Sequence, residues 1–172
     1  TMKAGTNNYG HLDFKTVVFD GNYNAADFSS YRGIRILPTF VQDASNLEEL
    51  KSAVANSSYS KINILKDIEF TEPLNITRGL TLAGMADGKA STLKKAAGYT
   101  GSIMTVNTKY SHSDVTLTKL CFMGERTPGN APAIVATKGN LIIGDYSQIY
   151  QFDNTSGNGG AIYVAGSSNE CT

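Results

Sequence analysis

Residues able to do acid–base or metal chemistry are spread thinly along this chain. Beyond residue 56 the carboxylates are Asp67, Glu69, Glu72, Asp87, Asp114, Glu125, Asp145, Asp153 and Glu170, scattered singly with no Asp-Asp or Asn-Thr-Asp cluster. Glycoside hydrolysis needs carboxyl groups grouped at one bond, and calcium needs several oxygen ligands together. Asp114 and Asp145 are spaced for stacking, but two carboxylates do not make a calcium site. Arg78 and Arg126 lie in different turns and read as surface or turn residues rather than as an anion clamp or a catalytic base. His11 and His112 are far apart, and neither can be paired with a Ser or Cys nucleophile. Cys121 and Cys171 fit no metal-ligand spacing and no C-x-x-C motif. Cys121 alternates with Leu120 and Phe122 as a packing residue, and whether the two cysteines pair stays open. These residues predict no catalytic constellation, no metal and no cofactor.

The elements that would position any site follow from composition and period. The chain has 172 residues, 15 Lys+Arg against 15 Asp+Glu and a formal net charge of +0 at pH 7. A neutral chain has no overall field to draw in nucleic acid or an anionic membrane. No window reaches the roughly 18 to 20 continuous apolar residues of a membrane span, so membrane insertion is not expected. Thr1-Met2 reads as a scar ahead of a segment cut from a longer protein. Residues 1–45 carry turn signals around short runs at 14–19 and 34–37, and they read as an irregular cover with short strands. A helix is predicted next, over about residues 46–55, with Ser45 or Asn46 as N-cap and Glu48 and Glu49 in its first turn. Leu47, Leu50 and Val54 share one face of it.

After the helix the apolar period becomes two: Ile62-Asn63-Ile64, Ile68-Glu69-Phe70, Leu74-Asn75-Ile76, Leu80-Thr81-Leu82, Val115-Thr116-Leu117 and Ile162-Tyr163-Val164. These runs repeat at a longer interval. Ile76, Met104, Ile134 and Ile162 form one series, Leu82, Leu117 and Ile143 a second, and Leu93, Phe122 and Tyr150 a third. Three short strands in roughly 28 residues, repeated, predict an all-β parallel β-helix of about three and a half coils over residues 46–172, with the helix capping its first coil. Gly159-Gly160-Ala161-Ile162 opens a coil that is left unfinished, so either further coils were removed, leaving a truncated portion of a longer protein, or a neighbour covers that face. That open coil is also a place where self-association could occur.

Residues 46–54 (NLEELKSAV), 62–68 (INILKDI) and 74–84 (LNITRGLTLAG) together resemble the opening of pectate-lyase-like adhesive domains of Gram-positive bacterial cell-surface proteins. Gly159-Gly160-Ala161-Ile162 is similar to repeats in β-helical bacterial surface proteins. The resemblance covers about residues 46 to 166. It implies a right-handed parallel β-helix, secreted or attached to the cell wall, acting as an adhesin, and it carries over no binding residue. A cationic and aromatic face is read from the residues themselves: Lys89, Lys94, Lys95 and Lys119 fall on or beside the strands near Leu93 and Phe122, with Tyr99, Tyr110, Tyr146 and Tyr150 nearby. Lys94, Lys95, Lys119, Tyr99 and Tyr150 are the candidate binding residues, suited to an acidic glycan through charge and ring stacking; the plain alternative is a solvated face whose lysines discourage strand-edge pairing. The expected function is an extracellular, non-catalytic adhesin module for a glycan or a host or bacterial surface protein. The alternatives are a polysaccharide lyase or depolymerase whose catalytic coils lie outside this chain, and a structural or self-association stalk.

Overall fold

A computed structural model describes residues 40–85, 89–126, 128–129, 131–154 and 159–165. The chain divides into two units, Thr1–Leu37 and Pro38–Thr172, and every described residue falls in the second. The strands expected at 14–19 and 34–37 therefore lie outside the described residues.

Strand β1 (Val41–Ala44) leads into helix α1 (Leu47–Ala55). The strands that follow come in rounds: β2 (Lys61–Ile64), β3 (Ile68–Phe70) and β4 (Leu74–Ile76), then β5 (Leu80–Gly84), β6 (Ser91–Lys95) and β7 (Met104–Asn107). The third round is β8 (Asp114–Thr118), β9 (Leu120–Met123), the short β10 (Pro128–Gly129) and β11 (Ile134–Lys138). The fourth is β12 (Asn140–Ile143), β13 (Gln148–Tyr150), the short β14 (Asp153–Asn154) and β15 (Ile162–Val164). Successive strands go to successive sheets. Sheet I is ordered β1-β2-β5-β8-β12, sheet II β13-β9-β6-β3 and sheet III β15-β11-β7-β4, with β10-β14 as a small extra ladder. All pairings among the described residues are parallel. The described part is thus mostly β with parallel sheets, an arrangement consistent with a β-solenoid.

Register follows side-chain parity, because a slip of one residue would turn an apolar row out to water. In sheet I, Ile62, Leu82, Leu117 and Ile143 stand above one another, as the second sequence series required. In sheet III, Met104, Ile134 and Ile162 are aligned as expected, but the residue beneath Met104 is Leu74, and Ile76 lies beneath Val106. This correction is a slip of two residues, so Ile76 stays on the inner face. In sheet II, Leu93 pairs with Phe122, but Phe122 pairs with Ile149 rather than Tyr150. That slip of one residue puts Tyr150 on the outer face. Among the described residues there are four three-strand rounds, the first of them short: Ile62 and Leu82 are neighbours although their loops are brief.

The inward rows form one core that includes Ile64, Phe70, Leu74, Ile76, Leu93, Met104, Leu117 and Phe122, all closed to solvent. Burying each such side chain contributes about 1.5–3 kcal/mol. Helix α1 seals the first round: Leu50, Ala53 and Val54 are buried and Leu47 packs at the core's edge. It packs against β1, β2, β3 and β4. Its start is held from both sides: the Asn46 N-cap side chain accepts from the Glu49 N–H at 2.9 Å, and the Glu49 carboxylate reaches back to accept from the Ser45 N–H at 2.7 Å. It ends at Asn56 as expected. Residues 41–44, assigned to the cover from sequence, instead form the edge strand of sheet I.

At the other end of the described strands the inward rows are exposed. Ile143 and Val164 occupy inward rows yet are 40% and 53% exposed. Their counterparts one round below, Leu117 and Ala136, are fully buried.

Candidate functional site

Sharp corners between strands decide which side chains reach the surface together. Between sheets I and II the chain turns at Lys119, whose φ of 53° is left-handed. Its carbonyl accepts from the Ser91 N–H at 3.0 Å, and its own N–H donates to the Asp145 carbonyl at 2.9 Å. Gly84 is required beneath this corner, because a Cβ there would run into the Lys119 carbonyl oxygen. Lys119 is therefore an exposed corner residue of the third round, held by its backbone.

The five candidate binding residues do not form one patch. Lys94 and Lys95 are neighbours in a strand and so face opposite ways. Lys94 lies on the outer face of sheet II, with its Nζ 3.8 Å from a Glu69 carboxylate oxygen. Lys95 points inward and is 4% exposed. It lies above Phe70, its Nζ donates to the Ala131 carbonyl at 3.2 Å, and it sits 5.2 Å from the centre of the Phe152 ring. Burial pushes its pKa below the ordinary lysine value. Tyr99 packs against the core, with its hydroxyl donating to the Ser102 carbonyl at 2.8 Å. Burial raises its pKa, with the Glu72 charge adding to the effect. Only Lys94 and Tyr150 share a row, Glu69–Lys94–Met123–Tyr150, on the outer face of sheet II.

That outer face is more acidic than cationic. Asp67 and Glu69 stand at its first round, and Lys94 is drawn to Glu69. Asp67 also accepts from the Thr92 N–H at 2.6 Å, and Cys121 follows in the Thr92–Cys121–Gln148 row. Partial burial raises the Tyr150 pKa, with Cys121, Asp67 and Glu125 adding to it. Cys121 is a free thiol whose pKa is raised by burial and then by Asp67, the reverse of what an attacking thiolate requires. Its pairing with Cys171 lies outside the described residues.

The scattered acids stay apart. Asp114 pairs in register with Asn140, whose side-chain amide donates to it at 2.9 Å. Asp145 lies past the far end of β12, so the two aspartates do not stack. No group of three or more His, Cys, Asp or Glu placed to hold a metal occurs among the described residues. Side-chain rungs join neighbouring strands: the Asn63 amide donates to Asp43 at 3.0 Å, the Asn140 amide to Asp114 at 2.9 Å and the Thr105 hydroxyl to Asn75 at 2.6 Å. Asn154 instead bonds the Gly159 carbonyl, and Asn158 lies outside the described residues.

No family model, curated protein or solved structure matches this chain. Its chemistry therefore has to be read from its own surface.

Two further arrangements bring together residues that the sequence pattern does not pair. Arg78, in the turn between β4 and β5, reaches back to the end of α1: Nη2 donates to the Asn56 carbonyl at 2.8 Å and the Ala53 carbonyl at 3.4 Å, and Nε to the Val54 carbonyl at 3.1 Å. The last turn of α1 has no basic residue of its own, and this guanidinium supplies the positive charge that its carbonyl end favours. Desolvation lowers the Arg78 pKa from its ordinary value. The second feature is the corner between sheets III and I, where Lys109 sits over the Tyr110 ring at 5.2 Å and Tyr110 is 64% exposed. Tyr146, at the corner between sheets I and II, is 78% exposed. Among the described helices none is long and apolar enough to cross a membrane.

Proposed function

We propose that this chain is a non-catalytic extracellular adhesive module, built as a right-handed parallel β-helix, that holds a glycan or a surface protein against its outer surface. The observation that carries this reading is the placing of exposed tyrosines, Tyr110, Tyr146 and Tyr150, on a frame whose strands are fixed in register round by round. An amphipathic ring on a rigid support loses little entropy on binding, and many weak contacts of this kind add up when a module is displayed in multiple copies. Secretion or attachment to a cell wall belongs to the same reading. A glycan array and a cell-adhesion assay with the whole chain test it: binding to at least one surface glycan or protein is expected. Calcium-dependent release of unsaturated sugar from pectin would replace it with a lyase.

One observation favours a second reading, a self-associating stalk. Ile143 and Val164 are exposed in inward rows of the fourth round, and among the described residues β12, β13 and β15 are the edge strands of their sheets. Sedimentation across a concentration series, with Ile143→Lys/Val164→Lys as the comparison, decides it: association that the double variant abolishes supports the stalk.

A further inference from the structure

The corner between sheets III and I is built from Thr77-Arg78-Gly79, the loop of residues 108–113, and Lys138-Gly139. Backbone bonds lace these segments together. The Lys109 N–H donates to the Thr77 carbonyl at 2.9 Å, and the Thr108 N–H to the Lys138 carbonyl at 3.0 Å. The Thr108 hydroxyl donates to the Tyr110 carbonyl at 2.7 Å, and the Ser113 N–H to the same carbonyl at 3.1 Å. Gly139 takes a φ of 108°, and a Cβ there would strike the Thr108 hydroxyl. Lys109 and Lys138 consequently come from adjacent rounds, which stack at about 4.8 Å, and the loop holds Tyr110 out beside them.

The charge here is of one sign. None of the three segments contains a carboxylate, and the adjoining Asp114 is bonded by Asn140. No ion pair among the described residues involves Lys109 or Lys138. Arg78, the other cation of these segments, is committed to the end of the helix. The outer face of sheet II is the opposite case, with Asp67, Glu69 and Glu125 around a single Lys94. The lysines described at the corner between sheets I and II, Lys66, Lys89 and Lys119, share it with Asp67 and Asp145.

We propose that the corner of Lys109, Tyr110 and Lys138 is the contact site for an anionic polysaccharide, whose carboxylate or sulfate groups pair with the two ammonium groups while a sugar ring packs on the exposed tyrosine. This rests on the reading of the chain as a glycan-binding module and gives that module a ligand class and an address. Ammonium groups meet anions as point charges, so the site accepts carboxylate and sulfate alike and its affinity falls with salt.

The test titrates the whole chain with heparin, polygalacturonate, neutral dextran and a DNA duplex at low and moderate salt. Binding to heparin or polygalacturonate is expected to exceed binding to dextran and to weaken with salt. Lys109→Glu/Lys138→Glu should reduce it about tenfold or more, and Tyr110→Ala roughly threefold to tenfold. Lys66→Glu, at the corner between sheets I and II, should leave it unchanged. Circular dichroism confirms that each variant is folded, and Lys109→Gln/Lys138→Gln repeats the test without introducing new charge. Undiminished binding by both double variants overturns the site, as does a preference for DNA that ignores Tyr110. Salt-insensitive binding to dextran alone keeps the glycan module and removes this site. Binding to no glycan at all removes the glycan-module reading itself.

Discussion

Replacing Arg78 by alanine is expected to destabilise the fold by about 3 kcal/mol, far more than an ordinary surface substitution. Its two shorter bonds, to the carbonyls of Asn56 at 2.8 Å and Val54 at 3.1 Å, have a charged donor, a class that contributes about 1.5–3 kcal/mol each when sheltered. The side chain is only half-buried, so solvent holds the pair near the lower end of that range. Attraction to the carbonyl end of the helix adds about 0.3–1 kcal/mol. For the unit Pro38–Thr172 a loss of that size corresponds to a fall in Tm of about 10 °C. Arg78→Lys keeps the charge but cannot reach several carbonyls at once, so roughly half of the loss should remain. Urea titration and calorimetry measure both variants, and amide exchange over residues 50–56 locates the effect. An alanine variant within about 0.5 kcal/mol of the parent would refute the reasoning, because that is the scale of a neutral surface change. A lysine variant indistinguishable from the parent would show that charge, and not the fork of the guanidinium, is what matters.

Gly84→Ala should cost about 3 kcal/mol, since the added methyl meets the Lys119 carbonyl and the Ser91 N–H, both backbone; urea titration measures it. Lys119→Gly should stabilise by about 0.5–1 kcal/mol, because the left-handed φ of 53° strains any residue with a Cβ; a fall in Tm would contradict this. Lys95 is a base whose folded-state pKa is lowered by burial, so the unfolded chain binds more protons and stability rises as pH climbs towards the ordinary lysine value of 10.5. Lys95→Met should be at least as stable as the parent at pH 7 and should lack that component of the rise. If parent and variant show the same pH slope, Lys95 is not the group responsible.

Much of the fold is legible in the residues because a half-buried strand has a period of two and a stacked fold has a second, longer one. The row Leu82–Leu117–Ile143 could be placed for that reason. Leu74 and Ile76 are both inward and apolar, so pattern alone does not say which one meets Met104, and only the length of the turn before them settles it. Ile149 and Tyr150 are adjacent and both partly apolar, and there a one-residue slip reverses the face. The surface was less legible. Grouping Lys94 with Lys95 conflicts with the alternation of any strand through Leu93, and the structure resolves the conflict by burying Lys95. The pairing of Arg78 with the end of α1 joins residues more than twenty apart with no shared motif. The corner of Lys109 and Lys138 depends on loop lengths, which carry no periodic signal.

A stack sealed by α1 at one end and left partly wet at Ile143 and Val164 at the other has a direction built into its failure. Each rung is steadied only by the rungs on either side, so fraying should begin at β12, β13 and β15 and travel towards the helix. Under tension or heat the described strands would come undone like a zip from the fourth round, with β2, β3 and β4 the last to let go.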